Sequence, residues 1–436
     1  MNVLIVGSGG REHALAWKIR QSPLVEKLYC APGNAGIAGI AECVPINATD
    51  REELAKFARE HSIGLTIVGP EQPLSDGIVD TFRADGLKIF GPTKAAARIE
   101  SSKAFAKEFM KKYRIPTAEF KTFTAAERYD AERYINEVPV PIVLKADGLA
   151  AGKGVAVCES KEQALEVLEV MMEQKIYGEA GSTVVIEDFL VGEEASVFAL
   201  TNGRDFVTLP AAQDHKRLLD NDQGKNTGGM GAYAPAQILT DKMMEMVKRT
   251  IIRPTLHGME KENCLYTGCL YVGLMITETG PKVVEFNCRL GDPETQVVLP
   301  LLEDDLLEVM MEAEAGTLRS TMTSKDRSAV CVVIASGGYP DRYETDKIIL
   351  GLESTAREKD VIVFHHGTAL TKDGTVTAGG RVLGVTALSD HLDLEGAVDK
   401  AYRAVEKITF DGAYYRSDIG KKGIQRLKHL QQSESE

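Results

Sequence analysis

The chain has 436 residues, of which 44 % are hydrophobic and 26 % charged, and its formal net charge is -13 at pH 7. This length exceeds what one hydrophobic core usually serves, and the composition is that of a globular protein with several structural units. The acidic balance argues against a nucleic-acid partner, and the lack of an apolar run of about 20 residues argues against a membrane span.

The start of the chain and its cysteines favour the cytoplasm. Met1 leads directly into an apolar strand without a basic leader. The seven cysteines are scattered, without a Cys-x-x-Cys pair. The sequence therefore predicts neither a disulfide framework nor a zinc site. We expect a cytoplasmic protein, and a monomer.

Short apolar strands alternate with helices in the first hundred residues. The predicted strands span residues 2–7, 27–31, 65–69 and 87–91, and the predicted helices span 11–21, 50–61, 76–84 and 93–113. Such alternation predicts a parallel sheet. The first strand leads into a glycine-rich turn around Gly9, where backbone amides can approach an anion. Because Glu12 replaces the third glycine of a dinucleotide fingerprint, a smaller phosphate-bearing substrate is favoured over a nicotinamide cofactor.

The pattern of predicted strands and helices changes from about residue 115 onwards. Residues 115–190 predict a compact α+β lobe that closes over a ligand, with strands at 119–123, 141–146, 155–159 and 183–188 and helices at 125–137 and 161–175. Residues 194–300 predict an antiparallel platform, with strands at 195–200, 206–210, 269–276 and 282–288 and a helix at 241–262. A helix at 294–316 precedes a small final unit with strands at 329–336, 361–369 and 381–386 and a helix at 392–408.

Polar residues alternate at the end of the strand that begins at Val283. Glu285, Asn287 and Arg289 lie two residues apart and would share one face of the strand. One carboxylate and one amide oxygen suffice to anchor Mg²⁺, which keeps waters and accepts substrate phosphates as ligands. The pattern predicts a face for phosphoryl transfer. The alternative is an edge strand with a solvated outer face.

A glycine-rich loop follows the strand that ends near Lys145. It contains Gly152, Lys153 and Gly154, so backbone amides and two ammonium groups are available to triphosphate oxygens. The spacing differs from the Walker motif, which needs four residues between its glycines. A surface hairpin with solvated lysines is the alternative.

Other polar positions follow strands or interrupt them. Glu187 and Glu194 could accept hydrogen bonds from an adenine amine and ribose hydroxyls, although acidic residues after strands are common. Polar and glycine-dense stretches at 213–217 and 224–231 predict loops that approach a ligand. Glu71 stands at the end of a strand, where open sheets bind ligands.

Four segments, read in chain order, resemble signature blocks of the ATP-grasp superfamily and, within it, of the phosphoribosylamine–glycine ligase family. The segments are 145–154, 213–217, 226–231 and 289–296, and the resemblance covers nearly the whole chain. It implies an α/β and α+β multidomain fold. The implied parts are an N-terminal Rossmann-like domain at 1–102, an ATP-grasp body at 103–325 with a mobile lobe at about 120–190, a C-terminal domain at 326–424 and a polar tail at 425–436.

The resemblance also implies a reaction. Glycine would take the γ-phosphate of ATP to form glycyl phosphate, and the amine of 5-phosphoribosylamine would then displace phosphate, a step of purine biosynthesis. Lys145 and Arg289 would neutralise charge, and Glu285 and Asn287 would bind Mg²⁺, with Mn²⁺ as an alternative. The implied ATP-binding residues are Lys103, Lys145, Gly152, Lys153, Gly154, Glu187 and Glu194. Gly9, Glu71 and Asp214 are the candidates for the other substrates.

The sequence differs from the superfamily pattern at one place, and three alternative functions remain open. The stretch from Tyr271 to Met275 has no carboxylate for a second, fully protein-bridged metal ion. The rivals are another ATP-grasp ligase or carboxylase, a nucleotide-sensing module without turnover, and an oxidoreductase built on the loop around Gly9. Release of ADP with a different acid would favour the first, and ATP binding without ADP release under every condition would favour the second. A change in NAD(P)H fluorescence would favour the third.

Overall fold

Five parallel strands and their helices form the first ninety residues. The computed structural model describes residues 1–149, 154–172, 182–318 and 321–435. The first elements are β1 (Asn2–Gly7), α1 (Gly10–Ile19), β2 (Lys27–Pro32), β3 (Glu42–Cys43), α2 (Arg51–Glu60), β4 (Ile63–Val68), α3 (Glu71–Asp76), α4 (Ile78–Ala84) and β5 (Ile89–Phe90). The strands lie in the order β3-β2-β1-β4-β5 and pair in parallel. The predicted Rossmann-like sheet is confirmed.

The helix predicted over 93–113 is in fact two helices, α5 (Lys94–Ser101) and α6 (Lys103–Lys112). Between them Ser102 leaves the helical conformation, and its hydroxyl accepts a hydrogen bond from the amide of Phe105 at 3.1 Å. The same hydroxyl donates to Asp147 at 3.2 Å. The sequence predicted one helix because the helical spacing of apolar residues continues past Ser102. The break at Ser102 depends on Asp147, which lies 45 residues further along the chain.

The next segment is a small antiparallel lobe. Its elements are β6 (Phe120–Thr124), α7 (Arg128–Glu137), β7 (Ile142–Ala146), β8 (Val155–Cys158), α8 (Lys161–Met172) and β9 (Thr183–Asp188). The strands lie in the order β6-β9-β7-β8, all antiparallel. Residues of α7, including Ala131 and Ile135, and of α8, including Leu168, share one buried cluster with the sheet. The predicted α+β lobe is confirmed.

A second antiparallel sheet forms the platform below the lobe. The elements of this part are β10 (Glu193–Thr201), β11 (Phe206–Thr208), β12 (Gln213–Asp214), β13 (Arg217–Leu219), β14 (Gln223–Asn226), β15 (Gly231–Ala234), α9 (Asp241–Val247), α10 (Arg253–Lys261), β16 (Gly268–Thr277) and β17 (Gly280–Asn287). The platform has the order β11-β10-β16-β17. One π-helical turn, Lys248–Ile252, joins α9 to α10. Pro254 explains the turn, because proline cannot donate the usual helical hydrogen bond.

The helix predicted over 294–316 is interrupted. It consists of α11 (Thr295–Val298), a 3₁₀ turn at Leu299–Leu301 and α12 (Leu306–Glu314). Pro300 lies in the 3₁₀ turn, and Asp305 caps α12 by accepting from the amide of Leu307 at 3.0 Å. These two residues start a new helix where the sequence pattern indicated a continuous one.

The C-terminal elements complete a third sheet. They are β18 (Arg327–Ala335), α13 (Leu352–Thr355), β19 (Val361–His365), β20 (Thr368–Thr371), β21 (Gly374–Thr377), β22 (Arg381–Asp390), α14 (Leu394–Val405) and α15 (Lys421–Ser435). The sheet order is β12-β15-β18-β22-β19. β12 lies in a segment predicted as a loop, and β15 begins at Gly231, the last residue of another. β12 pairs with β15, and β15 pairs with β18, which lies about a hundred residues further along the chain, where local patterns cannot reveal it. The strand predicted over 361–369 is split into β19 and β20, and the tail predicted from 425 is helical.

The buried clusters cross the boundaries between these sheets. One cluster includes Leu4 of β1, Met110 of α6 and Val272 of β16. A second includes Ile5 of β1 and Cys331 of β18. The parallel sheet, the platform and the C-terminal sheet therefore share packed side chains. No helix within the described part of the chain is long and apolar enough to cross a membrane.

Candidate active site

Glu285 and Asn287 lie side by side on β17. The Asn287 amide nitrogen donates to a Glu285 carboxylate oxygen at 3.4 Å. Glu285 faces Gly273 on β16, and a Cβ atom there would lie 3.1 Å from the Glu285 Cγ. Gly273 therefore leaves room for the carboxylate between the two strands. The predicted proximity of the two side chains is confirmed.

Arg289 lies beyond the end of that strand, because β17 ends at Asn287. The Glu100 carboxylate accepts the amide of Cys288 at 2.6 Å, which takes this backbone out of the ladder. The Arg289 guanidinium lies 3.1 Å from Glu100 and 3.4 Å from Glu71. Burial opposes its charge, yet these two carboxylates raise the pKa of Arg289. We call Arg289, Glu71 and Glu100 the arginine cluster.

The lobe contributes a second charged group beside β17. Lys145 on β7 and Lys107 on α6 both form ion pairs with Glu187 on β9. None of the three side chains is more than 6 % exposed. Burial opposes ionisation of Glu187, but the two ammonium groups lower its pKa. We call these three residues the lysine cluster.

Lys145 connects the lobe to the metal-ligand strand. Its ammonium group donates to the Val284 carbonyl at 3.1 Å, one residue before Glu285. Within the lobe, Glu187 pairs with Val143, so Lys145 stands diagonally across the ladder on the same face. The sequence analysis expected Lys145 and Glu285, which come from different segments, to act on the same phosphates. In the structure Lys145 lies beside the strand that carries Glu285.

The start of α6 contacts Asp147 and Gly148, which directly follow β7. Lys103 donates to the Gly148 carbonyl at 2.8 Å, and the Ala104 amide donates to Asp147 at 3.0 Å. Burial lowers the pKa of Lys103, with Glu285 opposing the shift. Gly154 is buried just before β8. Gly152 and Lys153, which the sequence also predicted as ATP ligands, lie outside the described residues.

The segment around β12 adds a third set of charges. Lys216 forms a 2.8 Å ion pair with Glu194. Burial raises the pKa of Asp214 to about 8 against the pull of Lys216, and Glu294 and Glu194 add to the rise. Glu194 and Asp214 in turn raise the pKa of Lys216 despite its burial. Glu194 and Asp214, predicted from separate segments, therefore interact with the same lysine.

The N-terminal glycine turn is shaped around Glu12. Its carboxylate accepts the amide of Gly9 at 2.6 Å and pairs with Arg11 at 2.5 Å. A Cβ atom at Gly69 would lie 2.0 Å from the same carboxylate. The glycines therefore accommodate a side chain of the protein where a dinucleotide fingerprint would hold a pyrophosphate. This geometry argues against the oxidoreductase hypothesis.

Four charged residues at the site have no role in the sequence prediction: Lys107, Lys216, Glu100 and Glu294. Lys107 lies four residues after Lys103, a helical spacing that puts both on one face and could have revealed it. Glu294 belongs to a signature segment, and the hydroxyls of Ser196 and Tyr271 both donate to it at 3.1 Å. No sequence pattern indicated a role for Glu100, because only the folded structure brings its helix α5 to Cys288.

The donor set fits a divalent cation that arrives together with phosphate groups. The described residues contain no cluster of three His, Cys, Asp or Glu side chains that could hold a metal ion. Burial opposes the charge of Glu285, but Lys216, Lys145, Lys103 and Arg289 lower its pKa. An ionised carboxylate and one amide offer two oxygens, and the surrounding cations favour additional anionic ligands.

Three family models match the chain. They describe the N domain of phosphoribosylglycinamide synthetase at residues 1–100, its ATP-grasp (A) domain at 101–295 and its C domain at 329–422. A phosphoribosylamine–glycine ligase from Caldanaerobacter subterraneus is 48 % identical over 421 residues, which cover 96 % of this chain and 99 % of the relative.

One solved structure resembles this chain in both sequence and fold, and a second resembles it in fold alone. A phosphoribosylamine–glycine ligase from Thermotoga maritima has a TM-score of 0.81 and 35 % identity, over 96 % of this chain and all of that one. A biotin carboxylase from Campylobacter jejuni, solved as a beta-gamma-ATP complex, has a TM-score of 0.74 at 15 % identity, over 95 % of this chain and 92 % of that one. The second likeness concerns the fold alone.

Proposed function

The chain belongs to the phosphoribosylglycinamide synthetase family, and from this membership we infer that it uses ATP to join glycine to phosphoribosylamine. It is an ATP-dependent ligase that works with a divalent metal ion. The observation that best supports the substrate assignment is 48 % identity to a ligase of this name over nearly the full length of both chains. The product is glycinamide ribonucleotide, formed in purine biosynthesis.

The nucleotide belongs between the lobe and the platform. Lys103 and Lys145 bind its phosphates, and Glu187 and Glu194 lie toward the adenosine. The glycine-rich loop supplies Gly152, Lys153 and Gly154. Glu285 and Asn287 would hold Mg²⁺, with Mn²⁺ as an alternative, and the bound ion would supply neutralisation of phosphoryl charge. The burial of the lysine cluster supports this placement, because ammonium groups in a site of low polarity attract phosphate strongly.

The reaction has two steps. A glycine carboxylate oxygen attacks the γ-phosphorus while the bond to ADP breaks, which gives glycyl phosphate. The amine of 5-phosphoribosylamine then attacks the acyl carbon, loses a proton, and expels phosphate that carries the former glycine oxygen. Lys145 and Arg289 hold the charged groups close together, and no side-chain nucleophile is needed. Gly9, Glu71 and Asp214 are the proposed contacts of the ribose phosphate, its hydroxyls and the amines.

A coupled assay tests the function. ADP should accumulate only when glycine and phosphoribosylamine are both supplied with ATP and Mg²⁺. Glycine labelled with ¹⁸O in its carboxylate should transfer one label to the released phosphate. ADP formed with bicarbonate or another acid instead of glycine would favour a different ATP-grasp enzyme. ATP binding without ADP under every condition would favour a nucleotide-sensing module.

We also propose that the enzyme acts as a monomer in the cytoplasm. All seven cysteines are free thiols in the structure, which suits a reducing compartment. The proposed boundaries are 1–102, 103–325 and 326–424, followed by the C-terminal segment. Gel filtration with light scattering should give the mass of one chain, and a doubled mass would contradict the monomer.

A further inference from the structure

The structure contains a buried lysine that the proposed reaction does not use. Lys107 lies on α6, one turn after Lys103, and its side chain is only 3 % exposed. Its ammonium group pairs with Glu187 and donates to the Thr117 hydroxyl at 2.8 Å. A buried ammonium group is costly unless it is paired, so these contacts require an explanation.

The contacts of Lys107 form a closed path around the site. Thr117 donates its hydroxyl to the Val283 carbonyl at 2.7 Å. On the other side, Glu187 pairs with Lys145, which donates to the Val284 carbonyl at 3.1 Å. The path begins at the Val283 carbonyl and ends at the carbonyl of Val284, the residue before Glu285. It links the lobe, α6 and the platform through polar contacts.

The charge balance of this path is uneven. The lysine cluster has two ammonium groups for one carboxylate, so one positive charge has no counterpart inside the cluster. A bound phosphate would supply that counterpart. When Lys145 turns to the phosphate, Glu187 must keep another cation, or a buried carboxylate would be left alone.

We propose that Lys107 is a positioning residue that holds Glu187 and thereby frees Lys145 to bind the phosphates of the nucleotide. This inference rests on the proposed role of Lys145. Burial lowers the pKa of Lys107, whereas Glu187 raises it, so the ammonium form depends on the carboxylate. Without Lys107, Glu187 would compete with ATP for Lys145.

The test is a set of four variants and a control. Lys107→Met removes the ammonium group and keeps a long apolar side chain. We expect the KM for ATP to rise by about tenfold or more, with a smaller fall in kcat and an unchanged KM for glycine. Lys112→Met is the control, because Lys112 is on the same helix but exposed and paired with Glu262 at the surface. Its kinetics should match the wild type.

The double variant separates positioning from packing. In Lys107→Met/Glu187→Gln the carboxylate that would retain Lys145 is gone. Because Glu187 is also a proposed adenosine contact, the reference for this variant is Glu187→Gln alone. We expect Lys107→Met to raise the KM for ATP much less in the Glu187→Gln background than in the wild type. A Lys107→Met substitution that impairs ATP binding as strongly in the Glu187→Gln background as in the wild type would overturn the proposal. Unfolding free energies of the same variants are compared, because a purely structural ion pair would change stability and the KM for ATP together.

A milder variant covers the case in which Lys107→Met does not fold. Thr117→Val keeps the shape of the side chain but removes the hydroxyl that fixes Lys107. We expect a rise of about threefold in the KM for ATP, and no rise would contradict the proposal. Wild-type ADP formation with glycine and phosphoribosylamine is measured in parallel. Its absence would refute the proposed function, whereas its presence with unchanged variants would refute only the role of Lys107.

Discussion

The lysine cluster and the arginine cluster are arranged alike but carry opposite excess charge. In the first, two ammonium groups surround the single carboxylate of Glu187, and no side chain is more than 6 % exposed. In the second, two carboxylates surround the guanidinium of Arg289, and Glu71 is 33 % exposed. The metal-ligand strand β17 runs from the first cluster to the second.

The difference shows how one strand can serve two kinds of substrate. A cluster with an excess cation favours an anionic ligand, whereas a cluster with an excess carboxylate favours a cationic or amine-bearing one. The lysine cluster suits the phosphates of ATP, and the arginine cluster suits the amine and carboxylate ends of the substrates that are joined. Variants in the two clusters should therefore affect different kinetic constants.

The largest effect is expected at Glu285, which lies between the clusters. Glu285→Ala removes the one carboxylate that we assign to the metal ion, so ADP formation should fall by on the order of a thousandfold. The fold should persist, because the Glu285 side chain is only partly buried and belongs to none of the apolar clusters described above. Glu278→Ala is the matched control, as Glu278 is exposed at the adjoining strand turn. Near-normal turnover of Glu285→Ala at limiting Mg²⁺ would refute the metal assignment.

A smaller and more selective loss is expected in the arginine cluster. Arg289→Lys keeps the charge but loses the planar guanidinium that reaches Glu100 and Glu71 at 3.1 and 3.4 Å. We expect kcat/KM for glycine to fall by about a hundredfold while the KM for ATP stays within about threefold. Arg204→Lys, at a surface ion pair with Glu260, serves as control. A loss confined to ATP binding would remove the distinction between the clusters.

The sequence predicted the members of these clusters better than their contacts. Alternation along one strand placed Glu285 and Asn287 together, because strand geometry depends only on local spacing. Arg289 lies beyond the end of that strand, where the carboxylate of Glu100, 188 residues from Cys288, accepts the Cys288 amide. The sheets were predictable from apolar periodicity, except where β12 and β15 join a strand from another unit. Long-range pairing of this kind leaves no local pattern.

Loss of one carboxylate from the arginine cluster should have a moderate effect. Glu71→Gln removes half of its negative charge, so we expect the KM for phosphoribosylamine to rise by about tenfold, with the KM for ATP unchanged. Steady-state kinetics with one substrate varied at a time measures both constants. Glu52→Gln, an exposed residue with the same change of charge, is the control. An unchanged KM for the amine would show that the excess carboxylate does not receive it.

The smallest effect concerns stability, at a carboxyl group near both clusters. Burial raises the pKa of Asp214 to about 8, with Lys216 opposing the rise. In the unfolded chain this group ionises near pH 4, so from about pH 4 to about pH 8 the folded state binds more protons than the unfolded state. Stability from this residue therefore falls as pH rises through that window.

Asp214→Asn should remove this loss, because the amide does not ionise. Relative to the wild type, the variant should gain unfolding free energy progressively between pH 4 and pH 8. Denaturant unfolding at several pH values measures the difference. A constant difference across the window would show that Asp214 is charged in the folded protein and that Lys216 outweighs its burial. The group would then resemble Glu285, whose cationic neighbours lower its pKa despite burial.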